Sequence, residues 1–323
     1  MKTDRIKKEK LESFVFAIGG NALIQKGEEG NLEQQYDHAR ETMAELAQIL
    51  ATYPSEVIFT HGNGPQVGNI LFRSEYARDV LYPLTLDVCV SDSEGGMGYM
   101  LQQVLHNELV KINMKRDVVT IITQVEVDPY DPAMNNPTKY IGQWMTEQEA
   151  KKMSRKRGWK VKKDADRGWR RVVCSPKPIR IIETAAIRAM LHAGVIVIAA
   201  GGGGVPVTKT KEGKLRGVEG VIDKDLASAL LASKLGMKNL VIITGVEKVH
   251  LNFTSPNPKP LDHMTCEQAL RYLAEGHFPP GNMGPKIEAS INFIQAGGRR
   301  AILTCPGRVL DAIRGKAGTN ITP

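Results

Sequence analysis

Apolar and polar positions along this chain alternate on two length scales. Short apolar runs at 14–18, 56–60, 118–125, 195–200, 239–244 and 300–304 read as strands buried on both faces. Between them, apolar residues recur three and four apart, which predicts helices over 32–52, 97–112, 181–193, 224–235 and 286–296. Met43, Leu46, Ala47 and Leu50 mark the apolar face of the first helix. This alternation predicts an α/β fold whose mainly parallel sheet is covered by helices on both sides. Residues 126–180 break the rhythm and are too long for an ordinary connection, so they predict a separate excursion, a lid or small subdomain. The boundaries that follow are an extension at 1–13, an N-terminal half at 14–192 and a C-terminal half at 193–323.

Three of the apolar runs end in glycine-dense turns. Phe14 to Ile18 meets Gly19-Gly20-Asn21, Val57 to Thr60 meets His61-Gly62-Asn63-Gly64, and Val195 to Ile198 meets Ala199-Ala200 and Gly201 to Gly204. Glycine lets backbone N–H groups converge on an anion, and a following helix adds its unpaired first-turn amides. Ligands of open parallel sheets collect beyond the carboxyl ends of the strands, where these turns fall. The pattern points to several phosphate-like groups held together, and hence to phosphoryl transfer. Residues 62–68 space their glycines one residue too widely for a dinucleotide fingerprint, and no Walker loop, HExxH or GxSxG is present.

Composition narrows the class. At 323 residues the prior is roughly two domains. With 42% hydrophobic and 24% charged residues the chain reads as an ordinary soluble protein, and no apolar run approaches the ~18–20 residues of a membrane span. Cys89, Cys174, Cys266 and Cys305 are far apart without a CxxC pair, which predicts reduced thiols and a cytoplasmic location. The net charge of +8 is unevenly spread: residues 151–180 hold thirteen Lys or Arg and two Asp, so the rest of the chain is slightly acidic. Only Trp159 and Trp169 accompany that basic stretch, so it reads as a solvated flap attracting small anions, with neither nucleic acid nor membrane as partner.

The positive charge for a phosphate site must come from separate lysines. Lys139 lies inside the excursion, Lys224 follows Asp223 at a helix start, and Lys286 follows Met283-Gly284-Pro285 at another. Asp223 is either an N-cap or an organiser of neighbouring ammoniums. The ordered set comprises Gly19-Gly20-Asn21, His61 to Gln66, Asn136-Pro137-Thr138-Lys139, Gly168-Trp169-Arg170, Ser175-Pro176-Lys177-Pro178, Gly201 to Gly204, Val221 to Asp225 and Met283 to Lys286. From about Phe14 to the end, it resembles the carbamate kinase family.

The resemblance implies the amino acid kinase fold, a three-layer αβα sandwich with an open sheet of about eight strands and a protruding subdomain, assembled as a homodimer. It also implies reversible phosphoryl transfer between MgATP and carbamate, giving MgADP and carbamoyl phosphate, used in many members to make ATP in fermentative arginine breakdown. Mg²⁺ is then expected with ATP or ADP, and no separate metal ligands are expected. Lys139, Lys224 and Lys286 would surround the phosphoryl group, with Asp223 organising them. Gly19, Gly20, Asn21, Gly62, Asn63, Gly64, Gly202 and Gly203 would meet the substrates. Gly201, Gly204, Thr244, Gly245, Val246, Val249 and Met283 would serve the nucleotide. Tyr140, Asp166 and the acidic run Ser91-Asp92-Ser93-Glu94-Gly95 depart from the family's usual pattern. The alternatives left open are another acid kinase of the same superfamily and a nucleotide-sensing relative without turnover.

Overall fold

The computed structural model describes residues 12–20, 28, 30–53, 55–164, 168–253, 257–279, 281 and 283–323. Its centre is an eight-stranded sheet: β1 (Glu12–Ile18), β2 (Ser55–His61), β3 (Val118–Thr120), β4 (Ile196–Ile198), β5 (Asn239–Ile243), β6 (His263–Thr265), β7 (Arg300–Thr304) and β8 (Thr319–Thr322). Across the sheet the order is β6-β8-β7-β5-β1-β2-β4-β3, and every pair is parallel except β7 with β8. β1 lies in the middle, with Phe16 opposite both Val241 and Phe59. Glu12 and Ser13 belong to this strand and not to an N-terminal extension, and Glu12 accepts from Asn239 Nδ2 at 2.7 Å.

The two faces of the sheet explain the unbroken apolar runs. Phe14, Phe16, Ile18, Val57 and Phe59 pack on α1 (Leu32–Thr52), α3 (Leu86–Lys111) and α9 (Val309–Ile313). Val15, Ala17, Ile58, Val197 and Ile242 pack on α5 (Thr184–His192), α6 (Lys224–Leu235), α7 (Cys266–Ala274) and α8 (Met283–Gln295). The fold is thus a three-layer αβα sandwich with a mainly parallel sheet. α1 buries Met43, Leu46, Ala47 and Leu50 and begins in a capping box between Asn31 and Gln34. Phe14, Phe16 and Phe59 stack with centroids 5.5 Å apart, and truncating Phe59 to alanine would cost about 3–5 kcal/mol.

Two predicted elements change. The helix expected over 97–112 starts at Leu86, because the polar run Ser91 to Gly96 is helical and turns Ser93 and Glu94 into the interior. The strand expected over 118–125 stops at Thr120. A buried Glu94 Oε2 accepts from Thr123 N at 2.9 Å and helps turn the chain into a second sheet, in the order 215–217, 205–209, 124–127 and 178–181.

Both shoulders of the excursion therefore belong to that second sheet. Its centre is a three-stranded antiparallel sheet of Lys139–Met145, Val161–Lys163 and Trp169–Val173, with α4 (Glu147–Arg157) between the first two. We call this unit the lid. It rests on α2 (Gly64–Tyr76) where two backbones meet: a Cβ on Gly68 would lie 2.6 Å from Gly142 Cα, so only glycine fits there. β4, just past residue 193, lies between β2 and β3, so one sheet runs through both halves of the chain.

Candidate active site

The turns at the carboxyl ends of β2 and β4 face one cavity of about 190 Å³. After β2, Gly62 and Asn63 lead into α2, whose first residue, Gly64, lines the cavity. After β4, Ala200 takes φ 50° and Gly201 to Gly203 form a tight turn that leads into the strand 205–209 without a following helix. Gly202, at φ 65°, sits so close to Asn63 that a Cβ would fall 2.0 Å from Asn63 Nδ2. Asn63 is held in turn by donating to Ser93 Oγ at 2.7 Å.

All three sequence-predicted lysines line this cavity. Lys224 opens α6, and its Nζ donates to Asp225 Oδ1 at 2.6 Å and to Ala17 O, at the end of β1, at 3.3 Å. Lys286, in the first turns of α8, donates to Asp225 Oδ2 at 2.7 Å. One carboxylate thus bridges two ammoniums. Four residues after each lysine a serine hydroxyl donates back to the lysine's carbonyl, Ser228 at 2.7 Å and Ser290 at 2.8 Å. Ser228 also meets Thr60 of β2 at 2.7 Å, which fixes α6 on the sheet. Lys139 comes from the lid and donates to Asp223 Oδ2 at 2.9 Å.

Burial divides these groups. The Lys224, Lys286 and Asp225 side chains are 10%, 13% and 4% exposed, against 37% for Lys139. Burial lowers the Lys224 ammonium below the ordinary lysine value, with Asp225 opposing and Lys286 adding to the fall. Burial alone would raise the Asp225 carboxyl, but Lys224 and Lys286 overcome it and hold the group well below the ordinary aspartate range. Three ammoniums against two carboxylates leave a positive surplus for an anion. Beneath the Gly201 turn lie His61, whose burial lowers it to about 4, and Glu94, whose burial raises it well above the usual carboxyl value.

A second cavity of about 180 Å³ is lined by Thr244, Gly245, Val246, Lys248, His250, Phe253, Pro279 and Met283. The first turn of α8 joins the two cavities, because Met283 lines one and Lys286, three residues on, the other.

Several expected roles change in detail. Asp223 holds Lys139 and caps α6 by accepting from Asp225 N at 3.0 Å, so it is both organiser and N-cap; Asp225, not Asp223, holds Lys224 and Lys286. Asp225 passes in the sequence for an ordinary first-turn acid, and only the approach of α8 reveals its second partner. The amides of Gly19, Gly62, Gly203 and Gly204 donate to the carbonyls of Ile243, Ile18, Ala200 and Gly201 at 2.8–3.1 Å, so these four N–H groups are engaged in building the turns, although Gly62 itself lines the cavity. Gly201 and Gly204 are buried against His61 and Val125, away from the Thr244 cavity, and Val249 is fully buried behind it. Gly20 lies behind Gly62, whose Cβ would meet its N at 2.9 Å. Asn21 and Asp166 lie outside the described residues. His250 and Phe253 also line the Thr244 cavity, and no motif in the sequence marks them.

Among the described residues, no group of three or more His, Cys, Asp and Glu is placed to hold a metal, and no helix is long and apolar enough to cross a membrane.

Comparison with known proteins follows the same outline. Residues 12–305 match the model of the amino acid kinase family. The chain is 45% identical to the carbamate kinase of Pyrococcus horikoshii over 314 residues, 97% of this chain and 99% of the relative. It is also 45% identical to the carbamate kinase-like protein YahI of Escherichia coli, over 96% and 98% of the two chains. Among solved structures, the carbamate kinase from Giardia lamblia bound to AMP-PNP superposes with a TM-score of 0.90 at 39% identity, covering 97% of this chain and 98% of that one.

Proposed function

Since this chain belongs to the amino acid kinase family, and within it to the carbamate kinases, we propose that it transfers a phosphoryl group reversibly between MgATP and carbamate. The observation that carries the reading is the Asp225 bridge: two buried ammoniums, fixed on separate helices, meet a third from the lid at one anion-sized cavity.

Carbamate already bears an anionic oxygen, so no base is needed to make a nucleophile. Both carboxylates in the cavity are engaged by lysines, and the neutral His61 is buried below the Gly201 turn, which fits that requirement. The transferring group spreads negative charge over its equatorial oxygens, and the work left to the protein is in-line placement and charge neutralisation. Lys224 and Lys286 meet that charge from the body and Lys139 from above, while the start of α2 adds unpaired amides. The Thr244 cavity takes the nucleotide, with Met283 and Lys286 on one helical turn setting its phosphates toward the lysines. Because Asp223 and Asp225 already hold ammoniums, Mg²⁺ would enter with the nucleotide substrate and would supply neutralisation of its phosphate charge.

On this reading the first half of the chain, with its lid, binds carbamate, and the second half binds nucleotide. The enzyme works in the cytoplasm as a homodimer, making ATP from carbamoyl phosphate in arginine breakdown. Exposed Tyr76, Val80, Leu81 and Tyr82 offer an apolar patch for the second copy. A second reading, an acid kinase acting on another carboxylate, draws on Glu94, a buried carboxyl beneath the substrate turn in a segment that departs from the family's usual sequence. The test is steady-state ATP formation from MgADP with carbamoyl phosphate or with acyl phosphates. Turnover with carbamoyl phosphate alone supports the first reading, and turnover with an acyl phosphate alone selects the second.

A further inference from the structure

We propose that Arg171 and Glu219 form the fastening that sets the lid at the height where Lys139 reaches Asp223, which makes both positioning residues for the phosphoryl transfer proposed above, the reading on which this inference rests.

The lid strands 139–145 and 169–173 are antiparallel, with Lys139 opposite Val173 and Ile141 opposite Arg171. Directly opposed residues point to the same face, so Lys139, Ile141, Arg171 and Val173 all project from one side of the lid. The strip of the body that they meet is 218–223. At one end of it, Asp223 accepts from Lys139 at 2.9 Å. At the other, Glu219 Oε2 accepts from Arg171 Nη2 at 3.2 Å. Between them Val221 shares an apolar cluster with Ile141 and Val173, and its N–H donates to Cys174 O at 3.0 Å. Lid and body thus meet along a strip with an ion pair at each end and an apolar middle.

The two ends differ in what can disturb them. Asp223 lines the substrate cavity, so phosphate oxygens compete for Lys139 during turnover. Glu219 lies outside it, on a separate cavity of about 390 Å³ that also holds Glu75, Arg157 and Trp159. Its second oxygen accepts from Leu86 N at 2.8 Å, which anchors it to the start of α3. Arg171 also lies over the Trp159 ring at 4.9 Å, and its side chain is only 15% exposed. A guanidinium so enclosed needs its carboxylate. The Arg171–Glu219 contact can therefore persist while Lys139 exchanges Asp223 for substrate.

The test uses the full chain carrying Arg171→Ala, Glu219→Gln or the exchange Arg171→Glu with Glu219→Arg. Steady-state ATP formation from MgADP and carbamoyl phosphate is measured beside backbone hydrogen exchange of 139–145. The single variants should lose about tenfold or more in kcat, leave the KM for MgADP within about twofold, and speed exchange in 139–145. The exchanged pair should recover part of both losses. Wild-type kcat in both single variants, lost turnover with unchanged exchange, or no recovery by the exchanged pair would each overturn the proposal. Glu219 is half exposed, so Glu219→Gln retains the fold if Arg171→Ala does not. If the unaltered protein makes no ATP from carbamoyl phosphate, the functional reading fails, while the exchange measurement still decides whether this pair fastens the lid.

Discussion

The body and the lid each bring cations to the same cavity, and they hold them in opposite ways. Lys224 and Lys286 share one enclosed carboxylate and are carried by helices packed on the central sheet. Lys139 is more than a third exposed and reaches Asp223 from a small antiparallel sheet. Screening is weak around the first pair and strong around the second. The contrast separates preorganisation from closure: the body keeps charge in place before substrate arrives, and the lid supplies charge that can change partners when it does.

Removing the body's shared partner should break this contrast most severely. Asp225→Ala leaves two buried ammoniums facing each other, so a stability loss of about 3–5 kcal/mol and loss of turnover are expected, read from the denaturant midpoint and the coupled assay. A midpoint near that of the unaltered protein would show that the bridge is not structural. On the lid side, Lys139→Ala should slow turnover by roughly 10²–10³-fold, about 3–4 kcal/mol by analogy with a lost oxyanion donor, with hardly any change in melting temperature. Equal damage to stability and rate would erase the distinction between the two regions.

Acid should discriminate them as well. The folded His61 value of about 4 lies below its ordinary 6.5, so the unfolded chain binds more protons between those pH values. The His61 contribution to stability is therefore complete above about pH 6.5 and is lost as pH drops toward 4, by about 3 kcal/mol. His61→Gln should flatten that slope in a melting-temperature profile; an unchanged slope would place the acid sensitivity elsewhere. Glu94 acts with the opposite sign, since its raised value makes its contribution fade as pH rises above the ordinary carboxyl range. The smallest effect is expected at the lid helix, where Thr146 accepts from Glu149 N at 3.2 Å and completes a capping box. Thr146→Ala should cost about 1 kcal/mol, felt as faster hydrogen exchange in α4, with kcat nearly unchanged.

Sequence alone determined the layers of this molecule and the identity of its cations. Runs such as Phe14 to Ile18 are apolar throughout because a central parallel strand is buried on both faces, and that requirement is local enough to read directly. The three lysines stood out because each sits in a turn or helix-start motif, and these motifs kept a recognisable order. Tertiary structure alone decided how those charges are shared. Asp225 acquires Lys286 only when α8 packs beside α6, 61 residues on in the chain, and Glu94 becomes an interior group only when α3 crosses the Thr123 turn. Four of the eight glycine amides in the three turns, those of Gly19, Gly62, Gly203 and Gly204, are taken by neighbouring carbonyls, a balance that depends on which strands lie side by side. Periodicity reports burial, which each segment records for itself; pairing depends on distance between segments, which no single segment records.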